Sequence, residues 1–270
     1  RDAIGEKPLY AGIAKGLVVF GSELKSVTAH PGLDLAINRN AAALCLRHGY
    51  IPAPHSIYEA VIKLLPGEYV EIDTSDPSLA NWQRHAYFDT IREAQEARAN
   101  RFSGSPEDAA SELDELLRKV IERQMIADVP VGAFLSGGVD SSTTAAIMQD
   151  LATRPVETFS LGFNEEAVNE APHAKAVATH LGTNHNEIYL AADEARDLVT
   201  QMPKVYDEPF ADQSQLPTYL ISRFARTKVT VSLSGDGADE LFGGYGRYHS
   251  LRRKWGGSLL GQVTKSAQKS

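Results

Sequence analysis

From residue 106 onward the chain alternates short apolar runs with longer stretches of helical spacing, and this alternation restricts the fold more than any other feature of the sequence. The spacing predicts a helix from Ser105, where Ser is a good N-cap, Pro106 suits the first helical position and Asp108 favours the positive end of the helix dipole. Its apolar stripe is Leu113, Leu116, Leu117, Val120 and Ile121. Strands are then predicted at 130–135, 156–161, 185–190 and 228–233. Helices are predicted at 141–152, 170–181, 193–202, near 214–226 and from about 237. Short apolar strands separated by helices build a parallel sheet covered on both faces, so the fold class is α/β. In such sheets ligands sit at the carboxyl ends of the strands, where the crossover direction reverses.

The first part of the chain reads differently. "PLYAGI" and "GLVVFGS" are apolar runs separated by Ala14 and Lys15, with Gly12, Gly16 and Gly21 nearby, which suggests a hairpin. A short helix is expected at about 39–48, extended chain around Pro52 and Pro54, and a turn at Pro66-Gly67 leading into a strand. From 73 to about 105 the apolar periodicity fades and Ser, Pro, Asn, Arg and Glu accumulate, so a linker is expected there. The expected division is 1–73, a linker at 74–105, and 106–270.

Two strand ends carry the chemistry. "VPVGAFL" is apolar on both faces, as a central parallel strand should be, and runs into Ser136-Gly137-Gly138-Val139-Asp140-Ser141-Ser142 before a helix. Consecutive backbone amides and the positive helix end would converge there on a small anion. Gly137 and Gly138 admit a close ligand, and the hydroxyls of Ser136, Ser141 and Ser142 are donors. Asp140 fits beside phosphate once a divalent cation bridges them. The spacing lacks the Lys of a Walker A loop, which argues against a P-loop kinase or GTPase. An ordinary glycine loop between strand and helix is the plain alternative. "VTVSLSGDGADELFGGY" repeats the layout: Ser234 and Gly235 end a strand, and Gly237 allows the turn that exposes Asp236 and Asp239. Two such ends in one sheet would clamp a Mg²⁺-nucleotide. For Asp239 and Glu240 taken alone, acidic residues simply favouring a helix N-terminus are the plain alternative, which the pairing with the first loop weakens.

Charge and cysteine content exclude other classes. Lys and Arg number 27 against 35 Asp and Glu, a net charge of −8, the wrong sign for a chain that wraps nucleic acid. No apolar run approaches the roughly 20 residues of a membrane span. The single cysteine, Cys45, rules out an internal disulfide or a multi-cysteine zinc site and fits a cytoplasmic location; its place in "NAAALCLRH" reads as a small buried residue. His180 and His185 in "HLGTNH" are not expected to form a metal site. Arg98, Arg101, Arg252, Arg253 and Lys254 read as solvated charges, and Tyr245, Tyr248 and Trp255 as packing residues.

"LSGGVDSS" resembles the pyrophosphate loop of the N-type ATP pyrophosphatases, and "LSGDGADELFGGY" narrows the resemblance to the glutamine-dependent asparagine synthetase family. "RDAIGEKPLY", "FGSELKS" and "GYIPAPHSIYEAVIKLLPGEYVEID" are similar to the late part of that family's glutaminase domain, and "DEPFADQSQLPTYLISRFA" to its synthetase domain. The resemblance implies an adenine nucleotide alpha hydrolase-like sheet preceded by a β-rich remnant of an N-terminal-nucleophile glutaminase domain. It implies that Ser136, Gly137, Gly138, Val139, Asp140, Ser141 and Ser142 hold the ATP phosphates, that Asp140 and Asp239 bind Mg²⁺, and that Leu135, Leu161, Ser234 and Gly235 frame the adenosine. Asp236 matches a position important for forming the acyl-adenylate, and Asp212, Gln213 and Ser214 fall near the substrate side. Aspartate and glutamine or ammonia are the implied substrates, with no nucleic acid or membrane partner and a homodimer as an allowed assembly. The family's cysteine nucleophile and a later catalytic lysine match no position here, so the chain is expected to be a fragment. A related AMP-forming synthetase on another carboxylate, or a nucleotide-binding relic, are the competing readings.

Overall fold

The computed structural model describes residues 1–250 except Thr74, 165–168 and His249. The chain forms two compact units, one of Arg1–Pro106 with Asp193–Leu216, the other of Glu107–Ala192 with the chain from Pro217 onward. The basic positions Arg252, Arg253 and Lys254, and Trp255, lie outside the described residues.

In the first unit β1 (Tyr10–Ala14) and β2 (Leu17–Gly21) form the expected hairpin, with Tyr10 opposite Gly21 and Ala14 opposite Leu17. Its two-residue turn has positive φ at both Lys15 (49°) and Gly16 (81°), the pairing whose twist suits a tight hairpin. Helix α1 (Leu24–Thr28) buries Leu24 and Val27. Helix α2 (Arg39–His48) has the predicted limits for a local reason: Asn38 Oδ1 accepts the Ala41 amide at 3.0 Å, and Gly49, at φ 80°, closes the other end. Strand β3 (Val61–Lys63) adds to the free edge of β1, giving the order β2-β1-β3. Alternation along β1 serves two cores: Tyr10 and Ala14 pack with Leu24, Val27, Leu33 and Val61, while Ala11 packs with Leu64 and Trp82. Strand β4 (Glu68–Glu71) follows the Pro66-Gly67 turn and pairs with β5 (Gln83–Ala86), and α3 (Thr90–Ala99) starts at Asp89, whose carboxylate accepts the Ile91 and Arg92 amides. The stretch read as a linker thus carries a paired strand and a capped helix.

The second unit begins with α4 (Pro106–Met125) and continues as β6 (Val131–Phe134), α5 (Val139–Leu151), β7 (Glu157–Phe163), α6 (Ala171–Leu181) and β8 (Asn184–Leu190). The chain then leaves for α7 (Ala192–Val199) and α8 (Met202–Val205), which cluster with the first unit, and returns through α9 (Gln215–Ala225), β9 (Val231–Leu233) and α10 (Ala238–Phe242). The four strands are parallel in the order β8-β7-β6-β9. Helices cover both faces, as predicted. Ala133 faces Ile121 of α4 and Ile147 and Met148 of α5, whereas its neighbour Phe134 faces the other side, with Phe159, Ile221, Phe224 and Ala225. Phe159 meets Phe224 edge-on at 5.8 Å. From β6 the chain winds outward through β7 to β8, then comes back to pair β9 on the other side of β6. The crossover direction therefore reverses between β6 and β9.

Candidate active site

Both glycine loops leave the sheet at this reversal. The first begins at Leu135, whose amide donates to Phe159 O at 2.9 Å and whose side chain is buried against Ala145 and Ala174. With its amide engaged and its side chain buried, Leu135 offers a ligand neither of these groups. Beyond it the loop is tied by its own serines: Ser141 Oγ accepts the Ser136 amide (3.2 Å), lies 2.9 Å from Ser136 Oγ and donates to Gly138 O, while Ser136 Oγ accepts the Gly138 amide at 3.2 Å. Gly137 has φ 83°, and a Cβ there would sit 2.7 Å from Ala174 N, so the loop rests directly on the start of α6. Gly138 is the N-cap of α5 and carries no capping side chain, which leaves the first amides of the helix uncapped by side chains. Val139 is 81% exposed at the mouth of this loop.

The second loop fits against the first. A Cβ at Gly235 would lie 2.8 Å from Ser141 N and 2.9 Å from Asp140 Cβ, which brings the chain around Gly235 alongside the first loop. Ser234 Oγ donates to Asp236 Oδ2 at 3.1 Å, holding the Asp236 carboxylate at the surface. Gly237, at φ 92°, turns the chain into α10. Asp239 is half-buried, its carboxylate lodged against Gly244, where a Cβ would collide with it. Tyr245 OH donates to Glu240 Oε1 at 2.6 Å, which lowers the Glu240 carboxyl and raises the Tyr245 phenol to about 12. Arg247 stacks 4.1 Å over the Tyr245 ring.

Two features suit a metal-bridged phosphate. The hydroxyl of Ser142 is buried with no hydrogen-bond partner, a donor in want of an acceptor. Asp140 and Asp239 supply carboxylates from the two apposed loops. Among the described residues no group of three or more His, Cys, Asp or Glu could hold a metal alone. A cation here would draw its remaining ligands from phosphate oxygens and water, the usual habit of Mg²⁺.

Residues 112–268, more than half of the 270, match the asparagine synthase family model. The chain belongs to the asparagine synthase family. Residues 1–83 match a glutamine amidotransferase domain. The chain is 35% identical over 254 residues to a Methanocaldococcus jannaschii protein whose name assigns it provisionally to the glutamine-hydrolysing asparagine synthetases, covering 91% of this chain and 46% of that protein. Glutamine-hydrolysing asparagine synthetase 1 of Bacillus subtilis is 31% identical over 251 residues, 92% of this chain and 37% of the relative. Asparagine synthetase B of Escherichia coli is 34% identical over 156 residues, 52% and 28%. The chain thus spans less than half the length of these curated relatives.

The remaining residues singled out from the asparagine synthase motifs lie outside the two loops. Leu161 lies on β7 opposite Ile188 and is half-buried. Asp212, Gln213 and Ser214 are exposed and belong to the first compact unit; Asp212 Oδ1 accepts the Ser214 amide at 2.7 Å, and the hydrogen bonds from Ser214 hold the Asp212 carboxyl below its usual range. Cys45 is half-buried and its thiol donates to Pro209 O at 3.3 Å. His185 is held by hydroxyls, with Nδ1 2.9 Å from Thr158 Oγ1 and Nε2 3.2 Å from Ser160 Oγ. Burial lowers its pKa. Sequence reasoning missed Asp207 and Glu208, both of which reach back to the first hundred residues. Their signal is two consecutive acids inside the apolar run "VYDEPFA".

Proposed function

We propose that the full-length protein is a glutamine-hydrolysing asparagine synthetase, and that this chain carries its ATP-activating site together with part of its amidotransferase domain. The observation that carries the reading is the fit of Gly235 against the backbone of Asp140 and Ser141, which joins an anion cradle to a second carboxylate-bearing strand end. In this reading residues 1–73 are the late part of the glutaminase domain, 74–105 join the domains, and 106–270 are the early part of the synthetase domain. The site takes ATP, and Asp140 and Asp239 would hold Mg²⁺, which when bound neutralises phosphate charge. A cytoplasmic location and a homodimer complete the proposal.

The chain's own groups would act as follows. The uncapped amides at the start of α5 and the Ser142 hydroxyl bind the β,γ-phosphates and stabilise the charge that develops as pyrophosphate leaves. The aspartate side-chain carboxylate attacks the α-phosphorus, the bond from that phosphorus to the bridging oxygen breaks, and β-aspartyl-AMP forms. Asp236, held by Ser234, stands beside the cradle where it can orient this exchange. Ammonia released from glutamine then attacks the acyl carbon, giving asparagine and AMP. Measuring ATP–pyrophosphate exchange in the full-length protein tests this. Exchange that depends on aspartate is expected; exchange driven only by a different carboxylate would refute the asparagine assignment.

A further inference from the structure

The first compact unit contains a buried ion pair that joins residues far apart in sequence. Lys63, in the portion matching the amidotransferase domain, pairs with Glu208, in the portion matching asparagine synthase. The two side chains are 13% and 8% exposed. Glu208 is fully engaged: Oε1 accepts the Ile57 amide at 2.8 Å and the Ser56 hydroxyl at 3.1 Å, and Oε2 accepts Lys63 Nζ. Lys63 Nζ also donates to Ile51 O at 2.6 Å and lies over the Tyr10 ring at 5.7 Å.

The neighbours of Glu208 are fastened in the same direction. Asp207 accepts the Leu24 amide at 2.6 Å and pairs with Lys25 at 3.0 Å; Lys25 also donates to Val205 O at 3.2 Å. Pro209 O accepts the Cys45 thiol, and the Ala211 amide donates to Gly49 O. From Val205 to Ala211 the chain is therefore laced to α1, α2 and the 51–63 segment. It then passes Asp212–Ser214 and enters α9, a helix whose first two residues belong to this unit and whose remainder belongs to the other.

We propose that Glu208, received by Lys63, Ser56 and the Ile57 amide, is a positioning residue that fixes the Asp207–Ser214 segment on the amidotransferase portion and so keeps ammonia supply coupled to its use. The proposal rests on the synthetase reading above. The carboxylate touches no reacting atom; it acts through the segment it holds. Its burial makes the attachment selective, because a buried ion pair tolerates loss of both charges far better than loss of one.

The test compares wild type, Glu208→Gln and the double variant Lys63→Met with Glu208→Met in the full-length protein. For each, pyrophosphate release with aspartate is measured with glutamine and with ammonium as nitrogen source, alongside hydrogen exchange at 51–57 and 205–214. Glu208→Gln is expected to lower the glutamine-to-ammonium rate ratio about tenfold and to speed exchange in both segments together. The double variant removes both charges but leaves the Ile57 amide and the Ser56 hydroxyl without their acceptor, so it is expected to melt nearer wild type than Glu208→Gln does while keeping the lowered ratio, a result that loss of stability would not give. An unchanged ratio in both variants overturns the proposal. Should wild type release no pyrophosphate with aspartate under either nitrogen source, the synthetase reading fails. Exchange then decides the positioning role alone: faster exchange of both segments in Glu208→Gln supports it, and unchanged exchange refutes it.

Discussion

Gly235 lies so close to the backbone of Ser141 that a single methyl group there would come within 2.8 Å of the Ser141 nitrogen. Backbone, unlike a flexible side-chain end, has little room to yield. Gly235→Ala is therefore expected to push the two loops apart and to lower ATP–pyrophosphate exchange at least tenfold. The melting temperature should move by only a few degrees, since the clash lies at the sheet's rim and leaves the buried clusters intact. Wild-type exchange rates in this variant would refute the apposition as the basis of the site.

The serines of the first loop divide their work. Ser142 has a buried, unpartnered hydroxyl, so Ser142→Ala should leave stability unchanged or slightly raised. Pyrophosphate affinity should fall by about 1.5 kcal/mol, roughly tenfold, the usual worth of a hydrogen bond to a charged group. Ser141→Ala instead removes a hydroxyl that bridges Ser136 and Gly138, and should destabilise the unit by about 1 kcal/mol. Isothermal titration with pyrophosphate and urea unfolding distinguish the two.

Gly244 leaves room for the Asp239 carboxylate, and a methyl group at this position would force that carboxylate to turn. The end of a side chain moves cheaply, so Gly244→Ala should keep its melting temperature. The Mg²⁺ concentration giving half-maximal pyrophosphate exchange should rise several-fold, measured by metal titration after chelation. An unchanged requirement would remove Asp239 from the metal's surroundings.

His185 supplies a pH dependence with a definite sign. Desolvation lowers its pKa, and Lys175 adds to this while Glu187 opposes it. The unfolded chain, with an imidazole pKa of about 6.5, takes up the proton first. The contribution of neutral His185 is thus complete above about pH 6.5 and is lost as the pH falls below it. Thermal melting from pH 7.5 down to pH 5 should show the decline, and His185→Gln should flatten it.

Legibility differed by the range over which each feature is encoded. The ends of α2 are set locally, by Asn38 and Gly49 at its own termini, and the hairpin was legible as two apolar runs separated by Ala14 and Lys15 with glycines nearby. The first glycine loop was readable for the same reason, as one run of seven residues between strand and helix. Strand β5 was hidden because "QRHA" shows almost no apolar alternation; its strand state comes from pairing with β4. Strand β9 is shorter than predicted, since Lys228 and Val229 still bond back to Ala225 at the end of α9. The fit of Gly235 to Ser141 joins positions about a hundred residues apart and the pairing of Lys63 with Glu208 joins positions 145 apart, and no local pattern records them.

The mutual bonds of Ser136 and Ser141 bear on how a ligand would be received. The loop is cast before any anion arrives, so capture freezes few additional torsions and little of the binding free energy is lost to ordering. A mould of fixed width also discriminates by size. Anions whose oxygens are spaced otherwise would find the same charge and the wrong dimensions, and the loop would select by shape where electrostatics alone could not.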